Sequence, residues 1–294
     1  MFWTLDRVAK ALDQASSVSY PRGATELSGV TTDSRAVAPG QIFVALVGDK
    51  FDGHDYLEAA IAQGAAAVLI SRPQRLGSLG VPVYEVDDTL VALGRLASYW
   101  RHAWGKTVIA VAGSNGKTTT KDIIRAALSG ELEVHATTCN LNNRIGVPLT
   151  LLSIPASAQV AVVEVGTNLP GEVAILRDIA KPDVAVVASI GEEHLEGLGD
   201  LAGVLREEVS VYEGVAIGIS PSAQPEIALA ARGMATTFIE AGLDDGDLKP
   251  DRWSIDADGS GVVEFGGTMI SPPLRGIHNL RNTMLAIAVA RVCG

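Results

Sequence analysis

Thr107-Val-Ile-Ala-Val-Ala112 runs directly into Gly113-Ser-Asn-Gly-Lys-Thr118, and helix-forming residues continue as far as Leu128. An apolar β-branched run, a glycine turn and a helical stretch in this order are typical of a phosphate-binding loop. In such a loop, backbone N–H groups and the helix N-terminus surround an anion, and the glycines let the main chain approach the phosphate. Lys117 would add a positive charge, and Thr118 could bind Mg²⁺. The stretch therefore predicts a nucleotide site on an α/β fold.

One position of this loop departs from the general pattern. That pattern has a glycine five residues before Gly116, where this chain has Val111. An ordinary strand, turn and helix with a chance Gly-Lys-Thr sequence is the alternative interpretation.

Composition limits the class of protein. The 294 residues can form two domains with real cores, and 47% hydrophobic with 19% charged residues is ordinary for a soluble globular protein. The net charge of −11 argues against a nucleic-acid partner or an anionic membrane, because their binders usually present a basic face. Two cysteines, Cys139 and Cys293, indicate a reducing compartment rather than a disulfide framework. With no signal peptide and no apolar run of membrane-spanning length, the sequence predicts a cytoplasmic protein without membrane insertion.

The order of predicted elements divides the chain into two domains. Residues 1–85 form a small α/β module with helices near Thr4–Gln14 and Tyr56–Gln63 and strands at Gln41–Leu46 and Ala65–Ile70. A helix around Leu90–Trp104 links it to the rest of residues 86–294, whose predicted strands are Thr107–Ala112, Val160–Val165, Asp183–Ala188 and Gly214–Ile219. Helices alternate with these strands near Gly171–Ile179, Leu201–Tyr212 and Pro225–Arg232, and an antiparallel annex follows at Trp253–Ile255 and Gly261–Phe265. This alternation predicts a mainly parallel sheet covered by helices, with ligands at the carboxyl ends of the strands.

Several polar residues fall at those strand ends. Glu164 lies near the end of an apolar strand, where a carboxylate is costly to bury unless it binds metal or is paired with a neighbouring helix. His194 stands in a loop after the next strand. The segment Asn140-Leu-Asn-Asn143 could donate hydrogen bonds to an acyl or phosphoryl group, or satisfy its own turn. His278-Asn-Leu-Arg-Asn282 opens an apolar helix, where an asparagine could be merely an N-cap.

The first module contains two further polar clusters. Asp33, Ser34 and Arg35 could form a polar claw for a substrate with hydroxyl and phosphate groups, or could cap a turn and pair with one another. His54, near Asp52, is interpreted as a solvated loop histidine rather than a ligand.

Taken together, these motifs resemble the Mur ligase family. The resemblance is carried by Gly113–Thr118, Asn140–Leu152, Glu164–Asn168, His194–Gly197, Gly276–Asn282, Thr32–Arg35 and Phe51–Asp55. The Asn-Leu-Asn-Asn motif is similar to the branch that joins D-alanyl-D-alanine to UDP-N-acetylmuramoyl-tripeptide, and the family's own shortened loop has no glycine where Val111 stands. The alternatives are another Mur-type amino-acid ligase, including the diamino-acid-adding and folylpolyglutamate enzymes, and a non-catalytic module that binds UDP-muramoyl peptides or nucleotides.

The resemblance implies an ATP-dependent amide ligase of peptidoglycan synthesis that uses ATP and Mg²⁺. Its substrates would be UDP-N-acetylmuramoyl-tripeptide and D-alanyl-D-alanine, and a monomer is expected. The implied nucleotide contacts are Gly113, Ser114, Asn115, Gly116, Lys117, Thr118, Thr119, Asn279 and Asn282. The implied Mg²⁺ ligands are Thr118, Glu164, His194 and Glu208, and the implied catalytic residues are Lys117, His194, Glu208 and Asn142. Contacts to the UDP-sugar are implied for Ser34, Arg35, Thr137 and Thr138.

Three features of the chain depart from the family. Glu208 stands where the family carries a carbamylated lysine, and we expect its carboxylate to replace the carbamate; a solvated helix carboxylate is the alternative, and a bicarbonate requirement would contradict the replacement. Cys139, where the family usually has glycine, is expected to be a small packing residue. The chain stops at Gly294, before a further C-terminal domain of the family, so these 294 residues are expected to bind nucleotide and UDP-sugar weakly without ligating efficiently.

Overall fold

The computed structural model describes residues 2–13, 26–72 and 79–294. Two compact units are present, Met1–Ala103 and Trp104–Gly294, and both combine strands with helices, which confirms the predicted α/β class. The sequence places the domain boundary near residue 85, whereas the helix after that point belongs almost entirely to the first unit. Within that unit, the helix's first residue, Thr89, donates its hydroxyl to Ala45 O at 2.9 Å.

The first unit is built on a parallel sheet of four strands in the order β3-β4-β5-β6, which are Gly29–Thr31, Gln41–Val44, Ala67–Ile70 and Val83–Glu85. In the part of this unit that the structure describes, an antiparallel pair and three α-helices accompany the sheet: β1 (Trp3–Thr4), β2 (Glu26–Leu27), α1 (Leu5–Ala11), α2 (Leu57–Ala62) and α3 (Thr89–Trp104). Phe43, Val68 and Ile70 from the sheet pack with Leu57 of α2 in a buried cluster. The first helix is shorter than predicted, and the predicted end at Gln14 lies outside the described residues.

The second unit contains a parallel sheet of six strands in the order β12-β11-β10-β7-β9-β8. The strands are β7 (Thr107–Ala112), β8 (Val134–Ala136), β9 (Val160–Glu164), β10 (Val184–Val187), β11 (Ile217–Pro221) and β12 (Thr237–Ala241). The helices are α4 (Lys117–Leu128), α5 (Gly146–Leu152), α6 (Glu172–Ala180), α7 (Leu195–Leu198), α8 (Leu201–Val209), α9 (Pro225–Ala230) and α10 (Ile277–Cys293). An antiparallel sheet follows as β13 (Arg252–Ile255), β14 (Gly261–Phe265) and β15 (Thr268–Ile270).

Burial along β7 shows that the six-stranded sheet is covered on both faces. Successive strand residues point to opposite faces, and Val108, Ile109, Ala110 and Val111 are all fully buried. Ile109 and Val111 belong to the cluster that α4 and α10 complete. The chain leaves β7 for the β8–β9 side and then crosses to β10, so the end of β7 is the switch point at which such sheets bind ligands.

Five elements of this unit were not predicted from the sequence: β8, α5, α7, β12 and β15. The start of α5, Gly146-Val-Pro148, resembles a turn, but a proline in the first helical turn loses no intrahelical hydrogen bond. The predicted strand Gly214–Ile219 begins instead at Ile217. Across the described part of the chain, none of the helices combines the length and the apolar character needed to cross a bilayer.

The Tyr212 hydroxyl joins two neighbouring strands. Its oxygen accepts from Val187 N at 3.0 Å and donates to Ile219 O at 2.6 Å, and the residue is fully buried. Tyr212→Phe leaves both backbone groups without this partner and is expected to lower the free energy of unfolding by about 2 kcal/mol. Urea denaturation followed by circular dichroism measures this. Tyr56→Phe, at a half-exposed ring, is the control and should change stability by less than about 0.5 kcal/mol.

Candidate functional site

The glycine loop after β7 is shaped by close contact with the end of β10. Gly113 has φ +118° and Gly116 has φ +82°, a region that favours glycine. A Cβ at Gly113 would lie 2.8 Å from Ser189 O, so a larger residue does not fit. Ser114 N donates to that same oxygen at 2.7 Å, and Ser114 Oγ donates to Gly191 O at 3.1 Å. In this arrangement Ser114 fastens the loop, and its nucleotide contact stays a prediction.

The N-terminus of α4 is the anion-binding part of the loop. The first N–H groups of a helix have no acceptor within the helix and carry a partial positive charge; here they belong to Lys117, Thr118 and Thr119. The Lys117 ammonium donates to Gly113 O and, at 2.7 Å, to Ser114 O. A phosphate at this terminus would meet both backbone donors and a lysine that can exchange carbonyl acceptors for phosphate oxygens.

Glu164, the last residue of β9, is oriented by its neighbours and keeps one oxygen free. Asn142 Nδ2 donates to Glu164 Oε1 at 2.8 Å, and Glu164 N donates to Thr137 Oγ1 at 2.9 Å. The side chain is 3% exposed, and Oε2 has no hydrogen-bond partner among the described residues. A buried carboxylate oxygen without a donor is costly. It is the kind of atom that a divalent cation would satisfy.

Lys121 is a site residue that the sequence analysis missed. It lies one helical turn after Lys117 and is buried, with Nζ donating to Thr137 O at 2.9 Å and lying 4.0 Å from Glu164 Oε2. The four-residue spacing from Lys117 puts both lysines on one face of α4, and this spacing was the available signal.

Two of the predicted metal ligands, Thr118 and Glu164, fit a metal position that is shared with phosphates. In the described ranges, no three His, Cys, Asp or Glu side chains are grouped so that they could hold a metal ion by themselves. Mg²⁺ often uses one or two carboxylates together with substrate phosphates. The free oxygen of Glu164 and the exposed hydroxyl of Thr118 fit such a shared site, and the full ligand set stays a prediction.

Glu208 of α8 lies under the loop rather than in solvent. Its Oε2 accepts from Gly113 N at 2.7 Å, and only 1% of the residue is exposed. Burial raises the pKa of this carboxyl from 4.5 to about 7, although the Lys117 ammonium and the hydrogen bond from Gly113 N act in the opposite direction. The alternative of a solvated helix carboxylate is therefore wrong. The replacement of a carbamate by Glu208 stays a prediction.

His194 and Lys117 share a charged neighbour, Glu193. His194 is in the left-handed conformation, with φ +56°, immediately before α7. Its ring is 39% exposed, and Nε2 lies 3.9 Å from Glu193 Oε2. The same Glu193 oxygen is 4.0 Å from Lys117 Nζ. His194 is therefore close to the loop and accessible, as a metal or phosphoryl contact requires.

A cavity of about 520 Å³ adjoins the loop on the side of α10. Asn115 and Gly116 line it together with Asn282, as does Arg281, which the sequence analysis did not single out. Asn279, the other predicted contact on α10, instead donates its side-chain amide to Arg275 O at 2.7 Å. A ligand with phosphates at the α4 N-terminus could extend its remaining part into this cavity.

The predicted UDP-sugar contacts fall into both units. In the first unit, Arg35 donates to both carboxylate oxygens of Asp33 at 2.9 and 2.8 Å, and this pairing holds the pKa of Asp33 down to about 2. Ser34 beside them is half-buried. In the second unit, Thr137 is buried and bonded to Glu164 and Lys121, whereas Thr138 is exposed. Their substrate contacts stay predictions.

Two minor predictions from the sequence are wrong. His54 is buried rather than solvated, because its ring bonds Asp52 Oδ1 at 2.5 Å and accepts from Ser71 N at 3.0 Å. Cys139 is exposed rather than packed, and its φ of +51° explains why a glycine would suit this position.

Comparisons with protein families match both units. Residues 111–290 match the Mur ligase middle domain, and residues 26–101 match the Mur ligase family, catalytic domain.

Comparisons with individual proteins point the same way. The UDP-N-acetylmuramoyl-tripeptide–D-alanyl-D-alanine ligase of Bacillus subtilis (strain 168) is 37% identical over 273 residues, which are 92% of this chain and 60% of that protein. A crystal structure of MurF from Acinetobacter baumannii has a TM-score of 0.87 at 29% identity, over 99% of this chain and 65% of that one. MurF ligase from Thermotoga maritima in complex with ADP has a TM-score of 0.80 at 28% identity, over 92% and 64%. The chain thus spans about 60% of the length of the curated relatives it matches.

Proposed function

This chain belongs to the Mur ligase family, and we propose that it is the substrate- and nucleotide-binding part of a ligase that joins D-alanyl-D-alanine to UDP-N-acetylmuramoyl-tripeptide at the expense of ATP. The proposal takes its substrates from the names of relatives such as the Bacillus subtilis ligase, and its nucleotide from the ADP complex of the Thermotoga maritima protein. A cytoplasmic monomer remains the expected form.

The observation that carries the proposal is the pairing of the α4 N-terminus with Glu164. Lys117 and the first N–H groups of α4 form a cationic end, and the free Oε2 of Glu164 lies at the end of the neighbouring strand β9. Parallel strands bring their carboxyl ends to one edge of a sheet. A phosphate chain and its divalent cation need both features at one edge.

In the proposed reaction, the terminal carboxylate of the tripeptide takes the γ-phosphoryl group of ATP, which releases ADP and leaves an acyl phosphate. The amine of D-alanyl-D-alanine then attacks the acyl carbon, loses a proton and displaces inorganic phosphate, which forms the amide. Lys117 and the α4 N–H groups would hold the phosphates in line. Thr118 and Glu164 would hold Mg²⁺, which when bound neutralises charge on the phosphates. Asn142 keeps the Glu164 carboxylate oriented through its 2.8 Å hydrogen bond.

A second candidate is a non-catalytic module that binds nucleotide or UDP-muramoyl peptide. It is favoured by Glu208, since its Oε2 is engaged by Gly113 N instead of facing an open metal position. Phosphate release that requires the tripeptide and D-alanyl-D-alanine together would exclude it.

The function is tested by calorimetry with Mg²⁺·ADP and with UDP-N-acetylmuramoyl-tripeptide, each alone and each in the presence of the other. We expect both to bind, because the phosphate end and the predicted sugar contacts are on different elements and do not compete. UDP-glucose serves as the control for the muramoyl-peptide part and should bind at least about tenfold more weakly than the tripeptide conjugate. If neither nucleotide nor conjugate binds, the ligase proposal fails.

A further inference from the structure

Lys121 buries an ammonium group beside the candidate metal position. Its side chain is 4% exposed, and Nζ donates to Thr137 O at 2.9 Å. A buried charge costs several kcal/mol unless an opposite charge compensates it. Asp122 Oδ1 lies 3.3 Å from Nζ, but that side chain is 57% exposed, so solvent screens the pair. The carbonyl of Thr137 and this exposed carboxylate do not by themselves account for the buried charge.

Glu164 supplies the buried opposite charge. Its Oε2 lies 4.0 Å from Lys121 Nζ, which is too long for a hydrogen bond but close enough for a strong charge interaction in the interior. The carboxylate is therefore compensated electrically while Oε2 stays without a hydrogen-bond donor among the described residues. If Lys121 Nζ lay within hydrogen-bond distance, it would donate to Glu164 Oε2, and this oxygen would no longer be free for a cation.

We propose that Lys121 is a positioning residue that acts as the internal counter-ion of Glu164 and weakens the binding of a divalent cation until nucleotide phosphates are present. A cation that approaches Oε2 is attracted by the carboxylate and repelled by the ammonium. Phosphates at the α4 N-terminus, one turn from Lys121, add negative charge and tip this balance toward binding. The metal would then enter with its nucleotide rather than alone. This inference rests on the proposed function for the identity of the nucleotide.

The charge of Lys121 determines whether its replacement should strengthen or weaken the binding of Mg²⁺. Without the ammonium, the buried Glu164 carboxylate has no opposite charge beside it. A divalent cation is then attracted to it more strongly than a monovalent one, because the interaction energy scales with the product of the charges. Lys121→Met keeps the chain length of the side chain without its charge, and Lys121→Gln also keeps a donor for Thr137 O. Both are expected to bind Mg²⁺ at least about tenfold more tightly than the parent protein in the absence of nucleotide.

Three further variants complete the design. Lys106→Met is the matched control, because Lys106 Nζ also donates to backbone carbonyls, of Ala156 and Ala158, at the opposite end of β7. Lys121→Arg keeps the charge and should not tighten Mg²⁺ binding. Glu164→Gln should remove the difference between the lysine variants and the parent, because the carboxylate on which Lys121 acts is gone.

The measurement is titration of Mg²⁺ into nucleotide-free protein by calorimetry, repeated with Mn²⁺ by electron paramagnetic resonance, at about pH 8. Circular dichroism confirms that each variant is folded. Parent-like or weaker binding by folded Lys121→Met and Lys121→Gln overturns the proposal. If neither variant folds, Lys121→Arg decides, and tighter binding by that variant overturns the proposal.

A failure of this inference can be told apart from a failure of the proposed function. If the protein binds neither ADP, with or without Mg²⁺, nor UDP-N-acetylmuramoyl-tripeptide, the function is wrong, whatever Lys121 does. If ADP binds in the parent and the lysine variants leave the affinity for free Mg²⁺ unchanged, the function stands and only the counter-ion role is wrong.

Discussion

Lys117→Ala is expected to lower the affinity for Mg²⁺·ATP by at least about 100-fold. Nζ now donates to two loop carbonyls, Gly113 O and Ser114 O, and would exchange them for phosphate oxygens. Hydrogen bonds between charged partners contribute about 1.5–3 kcal/mol each, and every 1.4 kcal/mol is tenfold in affinity. Isothermal titration calorimetry on parent and variant measures the difference.

The control for this variant is Lys106→Ala, which removes the same charge and the same kind of carbonyl contact away from the loop. It should bind Mg²⁺·ATP within about twofold of the parent protein. Thermal unfolding of both variants tests whether the loop keeps its fold. An affinity of Lys117→Ala within about threefold of the parent would show that the loop does not bind nucleotide phosphates in the proposed way.

The glycine loop could be predicted from the sequence because its determinants are local. The apolar run of β7, the two glycines and the helix formers of α4 follow one another, and β7 has the predicted bounds Thr107–Ala112. The backbone at Gly113 lies so close to Ser189 O that only glycine fits, and the sequence shows this glycine even though Ser189 is far along the chain.

The surroundings of Glu164 could be predicted only in part. Its place at a strand end singled it out, but its neighbours come from two other segments: Lys121 from α4, and Thr137 and Asn142 from the stretch after β8. No spacing in the sequence tells which amide of the asparagine cluster reaches a carboxylate. Asn143, one residue further, instead accepts from Ile145 N and Gly146 N and caps α5.

The side chains on α10 show a second limit of what the sequence can predict. The sequence points first to Asn279 and only second to Asn282, whereas the structure uses the Asn279 amide on Arg275 O and leaves Asn282 to line the cavity. Arg281 lines the same cavity, yet a charged residue at a helix start is usually solvated and gave no signal. Which side of a helix faces a cavity depends on packing, and packing is not local.

Glu208→Gln is expected to stabilise the protein in chelator at about pH 8 by up to about 3 kcal/mol, and to leave its stability nearly unchanged at about pH 4. Burial raises the pKa of this carboxyl to about 7 in the folded protein, from 4.5. Below pH 4.5 both folded and unfolded chains hold the proton, so the group contributes nothing. Between these values the unfolded chain releases it first, and the free energy of unfolding falls as the pH rises. Glutamine stays neutral and can still accept from Gly113 N, as Glu208 does at 2.7 Å.

The neighbouring Glu207 provides a control of opposite sign. It is also buried, but its oxygens accept from Gly171 N at 2.7 Å and Val173 N at 2.8 Å at the start of α6. Glu207→Gln replaces one acceptor with an amide that cannot accept, so it should destabilise the protein by about 1–3 kcal/mol at pH 8. Urea denaturation at several pH values, in chelator, gives both results. If Glu208→Gln destabilised the protein at pH 8 as Glu207→Gln does, Glu208 would be an ionised anchor of the loop at Gly113 N. Stabilisation would instead show that Glu208 holds the loop at Gly113 N at a cost in stability, because burial disfavours its charged form.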